Sequence, residues 1–290
     1  MINAIFTEYT NHLEKLPISP LTKKNYACRV KKYLDWLSGC VEPETALKDV
    51  HAKDYSVRDF KLRLQQIDKA SPNTVNAVLA ALDNFYMFLG MGKVNAARQE
   101  LPQTAPRALD QDEMKRFLRT VERQPLMRDR VIALIMFYTG LRISEVAALN
   151  VGDILLTARK GEVIVRCGKG MKFRRVPLHQ DLRAVLQNYL LELTDKSEYA
   201  PLFISRKGGR LAVRSIDEMI GRLAEEANIE MSAHVLRHTC LTTLIRKCGV
   251  DIVTVAEIAG HSRVDTTRRY SLPTEEDKAN AIDRLPSMIA

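Results

Sequence analysis

A mainly α fold with a small antiparallel β-sheet is predicted by three features of the sequence. Apolar residues recur at helical spacing through the first hundred positions. Between residues 154 and 178 the period shifts to short β-like runs separated by glycine-containing turns. Beyond about residue 180 the helical spacing returns. The pattern implies a helical first domain followed by an α+β second domain.

The helices of the first domain are read in order. Ile2, Ile5, Phe6, Tyr9 and Leu13 repeat at helical spacing. Ser19-Pro20 offers an N-cap with proline at the first helical position, and Tyr26, Val30, Tyr33, Leu34 and Leu37 form a stripe that Gly39 stops. Val50, Val57, Phe60 and Leu64 mark a third helix. Ser71-Pro72 opens a fourth, carried by Val75, Val78, Leu79, Leu82, Phe85 and Tyr86 and closed by Gly90. The polar starts of the second and fourth helices are alike, Thr22-Lys23-Lys24-Asn25 and Asn73-Thr74-Val75-Asn76. Exposed side chains there suit phosphate and base-edge contacts, and suit a solvated cap equally well. Thr22, Lys23, Lys24, Asn73, Thr74 and Asn76 are the DNA-binding candidates of this region.

Residues 101–107, with Pro102 and Pro106 and no apolar periodicity, read as an extended linker. Asp110 with Glu113 forms a capping-box start before Met114, Phe117 and Leu118. Val131, Ile132, Leu134, Ile135, Phe137 and Tyr138 continue as an apolar helix that ends at Gly140. Ile154–Leu156, Glu162–Arg166 and Phe173–Leu178 are then the strands of a three-stranded antiparallel sheet.

The chain has 290 residues, 46% hydrophobic and 27% charged, enough to bury a core in each of two domains. No stretch approaches the roughly 20 apolar residues of a membrane span, and the start Met1-Ile2-Asn3-Ala4 lacks the pattern of a signal peptide. A cytoplasmic protein is expected, with no membrane partner. Cys28, Cys40, Cys167, Cys240 and Cys248 are odd in number and show no CxxC spacing, which argues for reduced thiols and against a zinc site. The net charge of +9 is spread over both parts, 14 basic against 11 acidic residues in 1–100 and 30 against 24 in 101–290. A distributed positive balance favours a polyanionic partner and is equally that of an ordinary basic protein.

Four separated pieces carry the chemistry: Thr139-Gly140-Leu141-Arg142-Ile143-Ser144-Glu145, Gly168-Lys169-Gly170, His234-Val235-Leu236-Arg237-His238, and Gly260-His261-Ser262 ahead of Arg268-Arg269-Tyr270. His234 and Arg237 lie three apart and share a helix face. In this order and with these gaps the pieces resemble the motif set of the tyrosine recombinase (phage integrase) family, over residues 5 to 275. Residues 1–100 resemble the family's helical, SAM-like core-binding domain. Residues 108–290 resemble its catalytic domain, with a C-terminal tail at 274–290. Together the two imply a C-shaped clamp on duplex DNA.

The resemblance implies cleavage and rejoining of duplex DNA through a 3′-phosphotyrosyl link to Tyr270, with strands exchanged via a Holliday junction. Transesterification passes through a strongly anionic transition state, which two guanidiniums can clamp bidentately. Arg142 and Arg237 are implied as those clamps. His261 would hydrogen-bond the phosphate, His234 would be general base, and Lys169 general acid for the leaving 5′-oxygen. Glu145 would buttress Arg142, and His238 would be a supporting structural residue. The bond is conserved in the protein, so neither cofactor nor metal is implied, and the sequence has no Walker loop or acidic metal cluster.

The chain departs from the family's pattern at Ala259, where leucine is common, and after Tyr270, where Ser271-Leu272-Pro273 follows and Pro273 is expected to end the tyrosine helix. In the tail, Ala279, Ile282 and Leu285 make a narrow apolar stripe. Self-packing would account for it; in relatives such a tail docks on a neighbouring subunit. The partners implied are duplex DNA with short inverted-repeat sites and further subunits, in a homotetramer or in a heterotetramer with a paralogue, at the nucleoid. In size the chain resembles small Xer-type or transposon-borne members, and no added arm-binding domain is expected. A type IB topoisomerase-like nicking-closing enzyme and a non-catalytic DNA-binding protein of this fold are the rival readings.

Overall fold

The computed structural model describes residues 2–101, 105–166, 173–261, 263–273 and 275–283. Its contacts divide the chain into two compact units, Met1–Pro102 and Gln103–Ala290. No helix among the described residues is long and apolar enough to cross a membrane.

The first unit is built from α1 (Ile2–Lys15), α2 (Pro20–Leu37), α3 (Val50–Gln66) and α4 (Pro72–Phe88). Both Ser-Pro starts form as the sequence predicts. The Ser19 and Ser71 hydroxyls accept from the Thr22 and Thr74 amides (3.1 and 3.3 Å), and the prolines stand where a helix has no use for an N–H. Asp49 caps α3 in the same way, 2.8 Å from the Ala52 amide. Tyr9, Tyr33, Phe60, Phe85 and Tyr86 fill the core at 1% exposure or less. Such phenols need partners, and the Tyr33 hydroxyl lies 2.7 Å from both Tyr86 Oη and Ser56 Oγ. Lys53 is buried as well, its ammonium donating to the carbonyls of Met91 and Lys93. The chain after α4 thus runs back over α3 and α4, fastened again where Asn95 N donates to Asp54 and where Asn76 and Gln99 exchange two hydrogen bonds of 2.8 Å.

The second unit opens with α5 (Gln111–Glu122), where the Asp110–Glu113 capping box is complete. The following helix, α6 (Met127–Thr139), is nearly enclosed, with Val131, Ile132, Ala133, Ile135 and Met136 at 1% exposure or less. Gly140 ends it in the left-handed conformation (φ +61°) that favours glycine. A short α7 (Ile143–Ala148) leads to β1 (Ile154–Leu156), β2 (Gly161–Val165) and β3 (Arg174–Pro177), antiparallel in the order β1-β2-β3. Val163 stands opposite Ile154 and Val176, so the three line one face. β1 matches the expected run, β2 begins one residue earlier and leaves out Arg166, and β3 is shorter than expected, without Phe173 and Leu178. Next come α8 (Gln180–Glu192), α9 (Val213–Glu226), α10 (Ala233–Arg246), α11 (Ile252–Ala259), α12 (Asp265–Arg268) and α13 (Glu275–Asp283). α10 packs on α6 and α11. The thiols of Cys28, Cys40, Cys240 and Cys248 are free, while Cys167 lies outside the described residues.

Candidate active site

The left-handed turn at Gly140 swings Leu141 into the core and leaves Arg142 at the N-cap of α7. There the Arg142 amide donates to Glu145 Oε2 and its guanidinium to Glu145 Oε1, both at 2.8 Å. Its Nη2 reaches the Gly260 carbonyl at 3.2 Å. Glu145 is 4% exposed and also accepts two hydrogen bonds from Arg174 of β3, at 3.0 and 2.8 Å. Burial pushes the Glu145 carboxyl up, but the hydrogen bonds and charges of Arg174 and Arg142 outweigh it and hold the group below the usual carboxylate range.

Arg237 enters from α10 and is buried, 5% exposed. It donates to the Gly140 carbonyl at 2.5 Å and to the Ala259 carbonyl at 2.8 Å, joining the end of α6 to the end of α11. Arg142 and Arg237 therefore meet on successive carbonyls of the same turn, those of residues 260 and 259. The Arg237 Nη2 also lies 2.9 Å from His261 Nε2. An arginine can only donate, so Nε2 is the acceptor and His261 carries its hydrogen on Nδ1, 2.7 Å from the buried Thr267 hydroxyl. Burial and the charge of Arg142 lower the Arg237 pKa to about 10, still well above neutrality. Among the described residues Arg237 forms no ion pair; its partners are carbonyls, a neutral imidazole and the Tyr270 phenol.

Tyr270 is 3% exposed, its ring parallel to that of His261 (3°, centroids 6.1 Å) and its hydroxyl 3.0 Å from His238 Nδ1. Arg246 of α10 donates to the Tyr270 and Leu272 carbonyls and fixes the segment from behind. Burial raises the phenol's pKa, while Arg237 and Arg269 oppose the rise. His238 and His261 are each pushed down to about 4, chiefly by burial, with Arg269 the next cause for the first and Arg237 for the second. Both imidazoles are neutral at pH 7. The site thus gathers three guanidiniums against one carboxylate, with a phenol and two neutral imidazoles beside them. Such a set attracts an anion and can hold one by directed N–H groups.

The phage integrase family model matches residues 107–276, and the model of the phage integrase N-terminal SAM-like domain matches residues 6–91. The chain belongs to the phage integrase family, the tyrosine recombinases. Tyrosine recombinase XerA of Thermococcus kodakarensis is 32% identical to this recombinase over 98% of each chain. The crystal structure of XerA recombinase matches 99% of this chain and 100% of its own, at 25% identity and a TM-score of 0.54. That of XerH site-specific recombinase bound to difH substrate, a pre-cleavage complex, shares the fold with a TM-score of 0.73 at 22% identity, over 91% of this chain and 79% of that one. The recombinase is accordingly an enzyme of site-specific recombination, and the rival topoisomerase reading is not favoured.

Several expected residues of the recombinase stand apart from this cluster or outside the described residues. Lys169 and its flanking glycines are among residues 167–172, outside the described set, as are Ser262, Leu285 and residues 102–104 of the linker. His234 is exposed at the start of α10, and it is His238, one turn later, that touches the phenol. Tyr270 is not borne on a helix as expected: α12 ends at Arg268, and Tyr270 lies in the turn beyond, its amide bonded to the Thr267 carbonyl at 3.0 Å. The turn forms well before Pro273, so proline does not end the helix. Of the DNA-contact candidates, Lys24, Asn73 and Thr74 are exposed. Asn76 spends its amide on Gln99, Lys23 is folded onto Glu14 (2.6 Å to its carbonyl), and the Thr22 hydroxyl lies 2.8 Å from Ser19 Oγ. Sequence reading passed over Arg174 and Thr267. A signal for Arg174 was present, since the two-residue period of a strand puts it on the face of buried Val176.

Proposed function

We propose that this recombinase cleaves duplex DNA by attack of Tyr270 on a backbone phosphorus. The step leaves a 3′-phosphotyrosyl link and a free 5′-hydroxyl, and strands are exchanged through a Holliday junction. The observation that carries the reading is the buried, carboxylate-free guanidinium of Arg237 beside Arg142 and the Tyr270 phenol. A buried cation without a counter-anion is unfavourable, and a phosphodiester would supply the missing charge. Its non-bridging oxygens would replace His261 Nε2 as acceptor for Arg237 and engage Arg142, freeing His261 to turn a donor toward the phosphate. His238, held neutral by burial and cationic neighbours, is a weak base and would keep the resting phenol in place. His234, exposed one turn earlier, takes the proton, and Lys169 returns one to the leaving 5′-oxygen.

Duplex DNA with short inverted-repeat sites is the proposed substrate, a reading supported by the XerH relative, whose pre-cleavage complex holds its difH substrate. Lys24, Asn73 and Thr74 of the first unit are its proposed contacts there. Further copies of the chain, or a paralogue, complete a tetramer. The α13 segment is joined to its own α10 by an Arg246–Asp277 ion pair of 2.6 Å, while Ile282 stays 67% exposed, and we assign that exposed face to a neighbouring subunit. The localisation that fits this activity is the cytoplasmic nucleoid.

The test is a duplex selected from a random pool by binding to the protein and then nicked near its centre, so that the cleaved piece diffuses away. Wild type should accumulate a protein–DNA adduct that withstands denaturant, and Tyr270→Phe should form none while still binding. An adduct that persists in Tyr270→Phe would overturn the assignment.

A further inference from the structure

We infer that Arg174 is a positioning residue for strand cleavage, which it serves by occupying Glu145 and so leaving the charge of Arg142 for the phosphate. The inference rests on the proposed role of Arg142. Arg174 lies on the core face of β3 with its side chain 10% exposed. A buried arginine needs its donors matched, and here Nη1 and Nη2 go to the two oxygens of Glu145 and Nε to the Ile258 carbonyl at 2.9 Å. The same guanidinium backs Gly260, where a Cβ would fall 2.7 Å from Nη1. One side chain therefore touches the helix turn that presents Arg142 and the helix end whose carbonyls receive Arg142 and Arg237 and from which His261 follows.

Charge decides what the arrangement does. Glu145 and Arg142 alone would form a closed, neutral pair, poorly suited to bind an anion. With Arg174 the three groups sum to +1, and both Glu145 oxygens already accept from Arg174. Arg142 is held in place by Glu145 without being discharged by it. Lysine cannot copy this, because a single ammonium cannot direct two parallel N–H groups at the carboxylate and a third at Ile258.

The experiment measures single-turnover cleavage of the nicked duplex at saturating DNA by full-length wild type, Arg174→Met, Arg174→Lys, Glu145→Gln and the Arg174→Met/Glu145→Gln double variant. The scissile linkage is either the phosphodiester or a methylphosphonate, whose methyl group removes the negative charge. Arg174→Met should slow phosphodiester cleavage about 100-fold, the scale for losing one oriented donor to a developing anion. DNA affinity should change by less than about 3-fold, and methylphosphonate cleavage should slow only about 10-fold. Adding Glu145→Gln should recover roughly 10-fold of the lost phosphodiester rate, since a neutral amide no longer discharges Arg142. Equal slowing on both linkages, or a double variant no faster than Arg174→Met, would overturn the inference. Should Arg174→Met not fold, Arg174→Lys carries the same comparison, with the larger loss on the charged linkage. The wild-type adduct and its absence in Tyr270→Phe test the site itself. If those hold and the variants do not follow this pattern, Arg174 alone loses its role.

Discussion

Gly260→Ala tests whether the turn after α11 is the hinge on which the site is assembled. Gly260 has φ +63°, and an alanine in that left-handed region costs about 1–2 kcal/mol relative to glycine. Gly249, also in the second unit and at φ +66°, has nothing within 4 Å of a built Cβ, so Gly249→Ala should show that backbone term and little else. At Gly260 the added carbon would stand 2.7, 2.9 and 3.1 Å from Nη1, Cζ and Nε of Arg174. Reaching ordinary contact requires the guanidinium to retreat by about 0.5–1 Å, which weakens its bonds to Glu145 and Ile258. Charge-assisted bonds are worth about 1.5–3 kcal/mol each, so partial loss of three adds roughly 2–3 kcal/mol. Gly260→Ala should therefore cost about 3–5 kcal/mol in total, at about 2–4 °C of Tm per kcal/mol for a unit of this size. Calorimetry is the suitable assay, because the one tryptophan, Trp36, lies in the other unit and its fluorescence would not follow this transition. Cleavage should fall about 10- to 100-fold in Gly260→Ala, through displaced Arg142 and His261, and by less than about 2-fold in Gly249→Ala. Equal stability losses in the two variants, or a destabilised Gly260→Ala that cleaves at the wild-type rate, would refute the reasoning.

Three further outcomes are expected. His238 and His261 stay neutral in the folded protein down to about pH 4, whereas in the unfolded chain they take up protons below about 6.5. The unfolded state then binds more protons, so stability falls as pH drops from about 6.5 toward 4, and calorimetry should show a shallower fall for His238→Gln than for wild type. On the first unit, Lys24→Ala should lower the salt-dependence slope of DNA binding by about 1 with Tm unchanged. Asn76→Ala should instead cost about 1–2 kcal/mol of stability through its lost bonds to Gln99, and an unchanged Tm would remove the structural role given to it.

Much of the fold was legible because its signals are local. The Ser-Pro starts, the Asp110–Glu113 box and the glycine stops are caps whose partners lie within four residues, and the apolar stripes of α1 to α4 each face one core. The strand limits, Asp49 and the turn at Tyr270 were harder to see. Arg166 and Phe173 have β-compatible neighbours but no ladder partner, and α12 stops at Arg268, with Tyr270 in a turn whose amide bonds the Thr267 carbonyl. Within the site, resemblance to the family's motif set pointed to Arg142, Arg237, His238, His261 and Tyr270, which the fold brings together, yet α10 could not announce which of its faces is functional. It is buried on several sides, so its apolar residues show little periodicity.

The sequence alone therefore determined the residue types, their order and, Tyr270 apart, the element that carries each described one, since these follow from short-range hydrogen bonding and from the helix and strand periods. Tertiary structure decided who pairs with whom. That Arg174 shares Glu145 with Arg142, that Arg237 joins Gly140 to Ala259, and that Asn76 is consumed by Gln99 are contacts between segments far apart in the chain. Burial, and with it the neutral state of the two histidines, exists only once those segments have excluded water from one another.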